Sequence, residues 1–200
     1  MQCHTEGAIR VGLLTGHNNR STSTVAADGD ADPTSTLPSW ATEMVLLGCQ
    51  GGAGTSTLRV LLDTPWELGA YSADRSEIGT FGRPLLLVTR DNAAAAARCS
   101  EVVTSVTANG IEIAAVAVMA DGSGPEPKES TTRFRLLQNR VGGIVRVPFV
   151  AGLRYVDLSD VGRVALPKKF ERALSELRFH CHTFAVQAQV ITTDRTQEKI

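Results

Sequence analysis

The chain has 200 residues, of which 42% are hydrophobic, and a formal net charge of −1 at pH 7. This composition suits one globular domain with additional chain at its ends, and the near-zero charge gives no general attraction to nucleic acid or to an anionic membrane surface. The apolar runs are too short to span a bilayer and the four cysteines form no CxxC pair, so we predict a cytoplasmic protein without a membrane span or a nucleic-acid partner.

The two ends of the chain are predicted to be tails. Residues 1–42 contain runs of small polar residues, aspartate and proline, which bury too little apolar surface to offset the entropy of ordering, so we predict a disordered N-terminal tail. The folded unit is expected to cover residues 43–181. Residues 182–200 are predicted to be weakly structured, with an edge strand at 184–191 as the alternative.

The most informative stretch is a glycine-rich turn between a short apolar run at 45–47 and an apolar-periodic segment that ends near Leu62. Strand, glycine loop and helix are the setting in which a phosphate-binding loop is credible. Glycines let backbone N–H groups approach an anion, and a helix N-terminus adds unsatisfied donors. We therefore predict an anion cradle, with a turn kept only for packing as the alternative. Its residues are Gly51, Gly52, Ala53, Gly54, Thr55, Ser56 and Thr57.

The elements that follow alternate between helices and strands. Residues 63–83 are predicted to be a long irregular connection. Strands are then expected at 84–89, 111–119 and 144–147, and helices at 93–108 and 130–141 and after Pro167. This alternation implies parallel pairing with right-handed crossovers. The fold class is therefore predicted to be an α/β three-layer sandwich with a mostly parallel sheet.

Ligands of such sheets bind at the carboxyl ends of the strands, where Arg90 and Asp121 are expected. Arg90 is a candidate cation for a bound phosphate, and a solvated or Asp91-paired arginine is the alternative reading. Cys49 stands near the expected helix N-terminus, which could lower the pKa of its thiol. The alternating pattern of His180, Cys181 and His182 does not match the spacing of structural metal sites.

Residues 50–57, QGGAGTST, resemble the KGGVGKTT loop of the ParA/MinD group of P-loop ATPases. Pattern-level similarity extends over about residues 44–180, through 85–92, 111–121 and 143–149. The loop also looks like those of uncharacterised actinobacterial proteins linked to mobile elements. The resemblance implies a reduced P-loop NTPase-like architecture that binds ATP or another nucleotide with Mg²⁺. It further implies that Ser56 is a metal ligand and that Asp121 lies where the group contacts the nucleotide base.

Two departures from that group shape the expected function. Gln50 and Thr55 stand where the group has lysines, and residues 63–83 replace the strands that carry its metal- and water-positioning aspartates. Phosphoryl transfer depends on positioned cations. We therefore predict a non-catalytic or weakly nucleotide-binding interaction or regulatory protein, with a protein partner in plasmid partition, conjugation or secretion. The alternative is an unusual ATPase that completes its site through homodimerisation.

Overall fold

A five-stranded parallel sheet forms the centre of the described part of the chain in the computed structural model, which describes residues 43–75, 77–122 and 124–197 and side chains as far as residue 188. The strands stand in the order β2-β1-β3-β4-β5, and every neighbouring pair is parallel. Their bounds are β1 Val45–Gly48, β2 Glu67–Ala70, β3 Leu85–Arg90, β4 Ile113–Met119 and β5 Ile144–Val147. Parallel neighbours need crossover connections, which here cover both faces of the sheet.

Four helices supply these covering layers in the described residues. They are α1 Thr55–Leu62, α2 Ala93–Ala108, α3 Lys128–Leu137 and α4 Lys168–Gln197, and short 3₁₀ segments lie at Gln138–Arg140, Ala151–Arg154 and Leu158–Arg163. Helices α1 and α4 pack on one face of the sheet, and α2 and α3 pack on the other. The prediction of a three-layer α/β sandwich is therefore confirmed.

Side-chain alternation along the strands divides the interior into two cores. Leu46, Leu86 and Val88 face the first core with Leu58 of α1 and Phe170 of α4. Their neighbours in the strands face the second core, against α2 and α3. Because both faces are covered, the strands are continuous apolar runs instead of alternating apolar and polar residues.

The end of the chain differs from the prediction, because α4 continues to Gln197. The expected weakly structured segment and the alternative edge strand at 184–191 are therefore wrong for the described residues. Cys181 and Ala185 are buried and Phe184 packs against the first core, so they extend the helical apolar stripe that starts at Phe170. The predicted N-terminal tail, residues 1–42, lies outside the described residues. None of the described helices has both the length and the apolar character that a membrane crossing needs.

The connection at 63–83 also differs from the prediction, because it contains β2. This short strand pairs with β1 at the edge of the sheet, with Glu67 opposite Leu46. Of the side chains around it, Leu68 and Tyr71 pack against the second core, whereas Phe81 is 77% exposed. The edge strand therefore places Glu67 beside the segment that follows β1.

Candidate functional site

The glycine loop joins β1 to α1 with two residues in the left-handed region, Gly52 at φ 69° and Gly54 at φ 93°. Gly54 is the N-cap of α1 and carries no side chain to cap it. The first backbone bond at this helix end runs from Leu58 N–H to Gly54 O at 3.0 Å. Within the described residues, the amides of Gly51, Gly52 and residues 54–57 have no protein acceptor, so they are available to a ligand.

The loop borders a cleft of about 430 Å³, here called the loop cleft. All the residues predicted for the anion cradle line it, together with Gln50, Arg90 and three residues of β2. The predicted loop residues therefore face one shared space.

Thr55, which stands where the loop of the ParA/MinD group has a lysine, is only 8% exposed. A Cβ added to Gly48 would lie 2.7 Å from Thr55 Oγ1, so the glycine at the end of β1 permits close packing of this threonine. A short, buried hydroxyl does not replace a long cationic side chain. Thr55 therefore shapes the loop without supplying charge to the cleft.

Ser56 lies beside a carboxylate that sequence reasoning missed. Ser56 Oγ donates to Glu67 Oε1 at 2.7 Å, and Arg59 Nε donates to Glu67 Oε2 at 3.1 Å. Serine hydroxyl and carboxylate oxygens are hard ligands of the kind that suit Mg²⁺. Ser56 and Glu67 are therefore the residues that would hold this ion beside the loop. Mg²⁺ commonly takes one or two carboxylates together with substrate phosphates, so a larger protein cluster is not required.

The structure brings Arg90 and Asp121 together at the rim of the loop cleft. Arg90 Nε donates to Gly52 O at 2.7 Å, and Arg90 Nη1 donates to Asp121 Oδ1 at 2.8 Å. Asn92 Nδ2 donates to the other oxygen of Asp121 at 2.6 Å, while Asn92 Oδ1 caps α2 by accepting from Ala95 N–H at 2.9 Å. One network therefore links the glycine loop to the first turn of α2.

Partial burial raises the pKa of Asp121, but the bonds from Asn92 and Arg90 and the positive charges of Arg90 and Arg154 outweigh it, so the pKa lies below the ordinary value of 3.8. Asp121 is therefore an anion at neutral pH.

A second pocket, of about 630 Å³, lies at the carboxyl ends of β4 and β5. Asp121, Phe149 and Lys169 are among the residues that line it. Arg154 approaches to 4.8 Å from the centroid of the Phe149 ring, and Arg154 Nη2 donates to Asp121 O at 2.9 Å. Arg90 lines the loop cleft and Asp121 lines the second pocket, so the bridge between them connects the two.

No protein-family model, curated protein or solved structure matches this chain. The resemblance to the ParA/MinD group therefore stays a prediction, and the site's geometry supports the functional argument.

Asp91, the residue after Arg90, belongs to a buried polar cluster instead of the cleft. It is 7% exposed, pairs with Arg146 Nη1, and accepts from Ser130 Oγ at 2.6 Å. Arg146 also donates to Thr131 Oγ1 at 2.8 Å and lies 3.3 Å from a Glu126 oxygen. The alternative reading that paired Arg90 with Asp91 is therefore wrong, and Asp91 joins β3, β5 and the start of α3.

The three thiols that the structure describes, those of Cys49, Cys99 and Cys181, are buried. Cys49 is fully buried, and the hydrogen bond with Cys99, followed by burial, raises the pKa of Cys49 well above its ordinary value of 9.0. The expected lowering by the helix N-terminus is wrong, because the side chain points into the second core. Burial also raises the pKa of Cys181 to about 12. In the part of the chain that the structure describes, no three His, Cys, Asp or Glu side chains form a metal cluster.

Proposed function

We propose that this chain is a nucleotide-binding regulatory protein. Its glycine loop holds the phosphates of the nucleotide, and the chain hydrolyses the nucleotide weakly or not at all. The observation that carries the proposal is that uncommitted backbone amides, an arginine and a Ser–Glu pair border the same cleft. Each of these groups favours phosphate or its accompanying metal.

Each group has a separate role in the proposal. The amides of the loop and of the first turn of α1 donate to phosphate oxygens, and Arg90 adds a positive charge at the rim. Ser56 and Glu67 hold Mg²⁺, which neutralises phosphate charge when it is bound. The second pocket accommodates the nucleoside, with Phe149 as an apolar surface and Asp121 as a hydrogen-bond acceptor.

Weak turnover follows from the charges around the cleft. Among the described residues that line the cleft, Arg90 is the only one with a lysine or arginine side chain. All four lysines, Lys128, Lys168, Lys169 and Lys199, come after residue 120. Because the transferred phosphoryl group needs several positioned cations, a cleft lined by one arginine, with Arg59 paired to Glu67 and Thr55 buried, favours binding over hydrolysis.

A protein that binds a nucleotide without turnover acts through its partners. We therefore propose an interaction or regulatory role beside a partition, conjugation or secretion apparatus, with a protein partner or a second copy of this chain. The resemblance to the ParA/MinD group supports this assignment. Within it, nucleotide occupancy of the loop cleft is the regulated state.

Calorimetric titration with ATP, GTP and inorganic pyrophosphate, each with and without Mg²⁺, tests the proposal. We expect saturable binding to the wild type and an affinity lower by about tenfold or more in Arg90→Ala, the usual cost of a lost charge-assisted hydrogen bond. Arg163→Ala is the matched control, because Arg163 also pairs with an aspartate but lines neither pocket. Absence of binding by all three ligands would contradict the proposal.

Glu67→Gln tests the metal site separately. The amide keeps the shape of the side chain but removes the charge that favours Mg²⁺. We expect the Mg²⁺-dependent gain in affinity to disappear while Mg²⁺-free binding is retained. A steady rate of phosphate release per protein molecule that rises with protein concentration and is lost in Arg90→Ala would instead support the dimeric ATPase.

A further inference from the structure

We propose that Asp121 is an autoinhibitory competitor of the phosphate ligand, because it engages the arginine that the ligand needs. This inference rests on the proposed function and describes how phosphate binding at the loop cleft is regulated. The guanidinium of Arg90 is held at two points, by Gly52 O at 2.7 Å and by Asp121 Oδ1 at 2.8 Å. A phosphate in the loop cleft competes with the second of these acceptors.

Both partners of the bridge are accessible enough for exchange. The side chains of Arg90 and Asp121 are 37% and 39% exposed, so water can replace either partner while the bridge opens. An exposed pair of this kind is worth little in stability, and a doubly charged ligand can displace its carboxylate. The carbonyl of Gly52 keeps Arg90 next to the loop during that exchange.

The charge of Asp121 opposes the ligand in a second way. Only the guanidinium of Arg90 separates the Asp121 carboxylate from the cleft. The carboxylate is an anion at neutral pH, so it repels an incoming phosphate. Asn92 fixes the other carboxylate oxygen at 2.6 Å, which keeps this charge in place. When Arg90 turns to the ligand, Asp121 keeps its hydrogen bond from Asn92 at the border of the second pocket, which it lines.

The geometry distinguishes competition from simple positioning of Arg90. If Asp121 served to position Arg90, neutralising it would weaken ligand binding. If Asp121 competes for Arg90, neutralising it strengthens binding, because Asp121→Asn keeps a carbonyl for Arg90 and a similar shape while it removes the charge. The sign of the affinity change therefore decides between the two roles.

The experiment is a calorimetric double-mutant cycle with inorganic pyrophosphate, using wild type, Asp121→Asn, Arg90→Ala and the double variant. We expect Asp121→Asn to bind roughly two- to fivefold more tightly than the wild type, the scale of an exposed ion pair. In the Arg90→Ala background the gain in affinity from Asp121→Asn is expected to shrink to the part that comes from charge repulsion alone, because the competition requires both side chains. Asp160→Asn removes the same charge from the exposed Arg163–Asp160 pair and is the control for net charge.

The outcomes separate this inference from the proposed function. Weaker or unchanged binding by Asp121→Asn, with normal binding by the wild type, would overturn the competition and leave the function intact. An equal gain in Asp160→Asn would also overturn it, because the effect would then follow net charge. If neither the wild type nor Asp121→Asn binds pyrophosphate, the competition is overturned, and the proposed function is overturned with it when ATP and GTP also fail to bind. Binding by Asp121→Asn alone would support the competition in its strongest form.

Discussion

Arg90 and Asp91 are neighbours in the chain, and each forms an arginine–aspartate pair, yet the two pairs differ in their surroundings. The side chains of Arg90 and Asp121 are 37% and 39% exposed, whereas those of Asp91 and Arg146 are 7% and 28% exposed. Water and salt screen the first pair, and the second has little contact with water on its carboxylate side.

This difference assigns the two pairs different tasks. An exposed ion pair contributes about 0–1 kcal/mol and can exchange partners with a ligand. A buried pair costs desolvation to form, and loss of one partner leaves the other charge without compensation. The Arg90–Asp121 pair is therefore suited to ligand exchange. The Asp91 cluster is suited to holding the carboxyl edge of the sheet together.

Asp91→Ala is expected to produce the largest effect, a fall of about 3 kcal/mol in the free energy of unfolding, because Arg146 and Ser130 both lose their buried acceptor. The partial exposure of Arg146 places the value at the lower end of the range for buried pairs. Urea denaturation followed by circular dichroism measures it. A loss under about 1 kcal/mol would mean that the Asp91–Arg146 pair contributes no more to stability than the exposed Arg90–Asp121 pair.

Ser130→Ala is expected to cost about 1.5–2 kcal/mol, because it removes the 2.6 Å hydrogen bond to the buried carboxylate of Asp91. Thr132→Ala is the matched control, since its hydroxyl bonds only the exposed carbonyl of Lys128 in the same helix. The same urea experiment compares them. Equal losses in the two variants would show that burial of Asp91 adds nothing to this bond.

Asn92→Ala is expected to cost about 1 kcal/mol, because α2 loses its N-cap. The variant also removes the hydrogen bond from Asn92 to Asp121, which connects the Arg90–Asp121 pair to the stability of the fold. Thermal unfolding measures the loss. An unchanged melting temperature would contradict the role of Asn92 as a capping residue.

Arg90→Ala is expected to have the smallest effect on stability, under about 1 kcal/mol at pH 7. The pKa of Asp121 in the folded chain lies below the ordinary 3.8, so the stability from this pair is complete above 3.8 and is lost as the pH falls through the lower folded value. Urea titrations from pH 7 to pH 3 compare Arg90→Ala with the wild type. A difference that grows on acidification would have the wrong sign.

The sequence predicted the layers and the loop well because both depend on local patterns. Buried parallel strands are continuous apolar runs, and the glycine-rich turn stands between the first of them and a helix. The rule that ligands bind at the carboxyl ends of strands also selected Arg90 and Asp121, whose side chains are in contact in the structure. That contact joins residues 31 positions apart.

Other features depend on tertiary contacts that leave little local signal. The strand β2 has four residues, at most half-buried, and its pairing with β1 alone places Glu67 beside Ser56. Arg146 stands in an apolar strand, and only the fold shows that its partner is Asp91. The end of α4 is rich in small and polar residues, and the packing of Phe184 against the first core beyond the predicted limit leaves little signal in the local sequence.

The most direct test of the central claim is to follow the backbone amides of the glycine loop by NMR while inorganic pyrophosphate is added to ¹⁵N-labelled protein. We predict saturable shifts of the amide signals of Gly51, Gly52, Gly54, Thr55 and Ser56, because these N–H groups donate to no protein acceptor among the described residues. Unchanged loop signals at millimolar pyrophosphate, or shifts confined to other parts of the chain, would contradict a phosphate-binding loop.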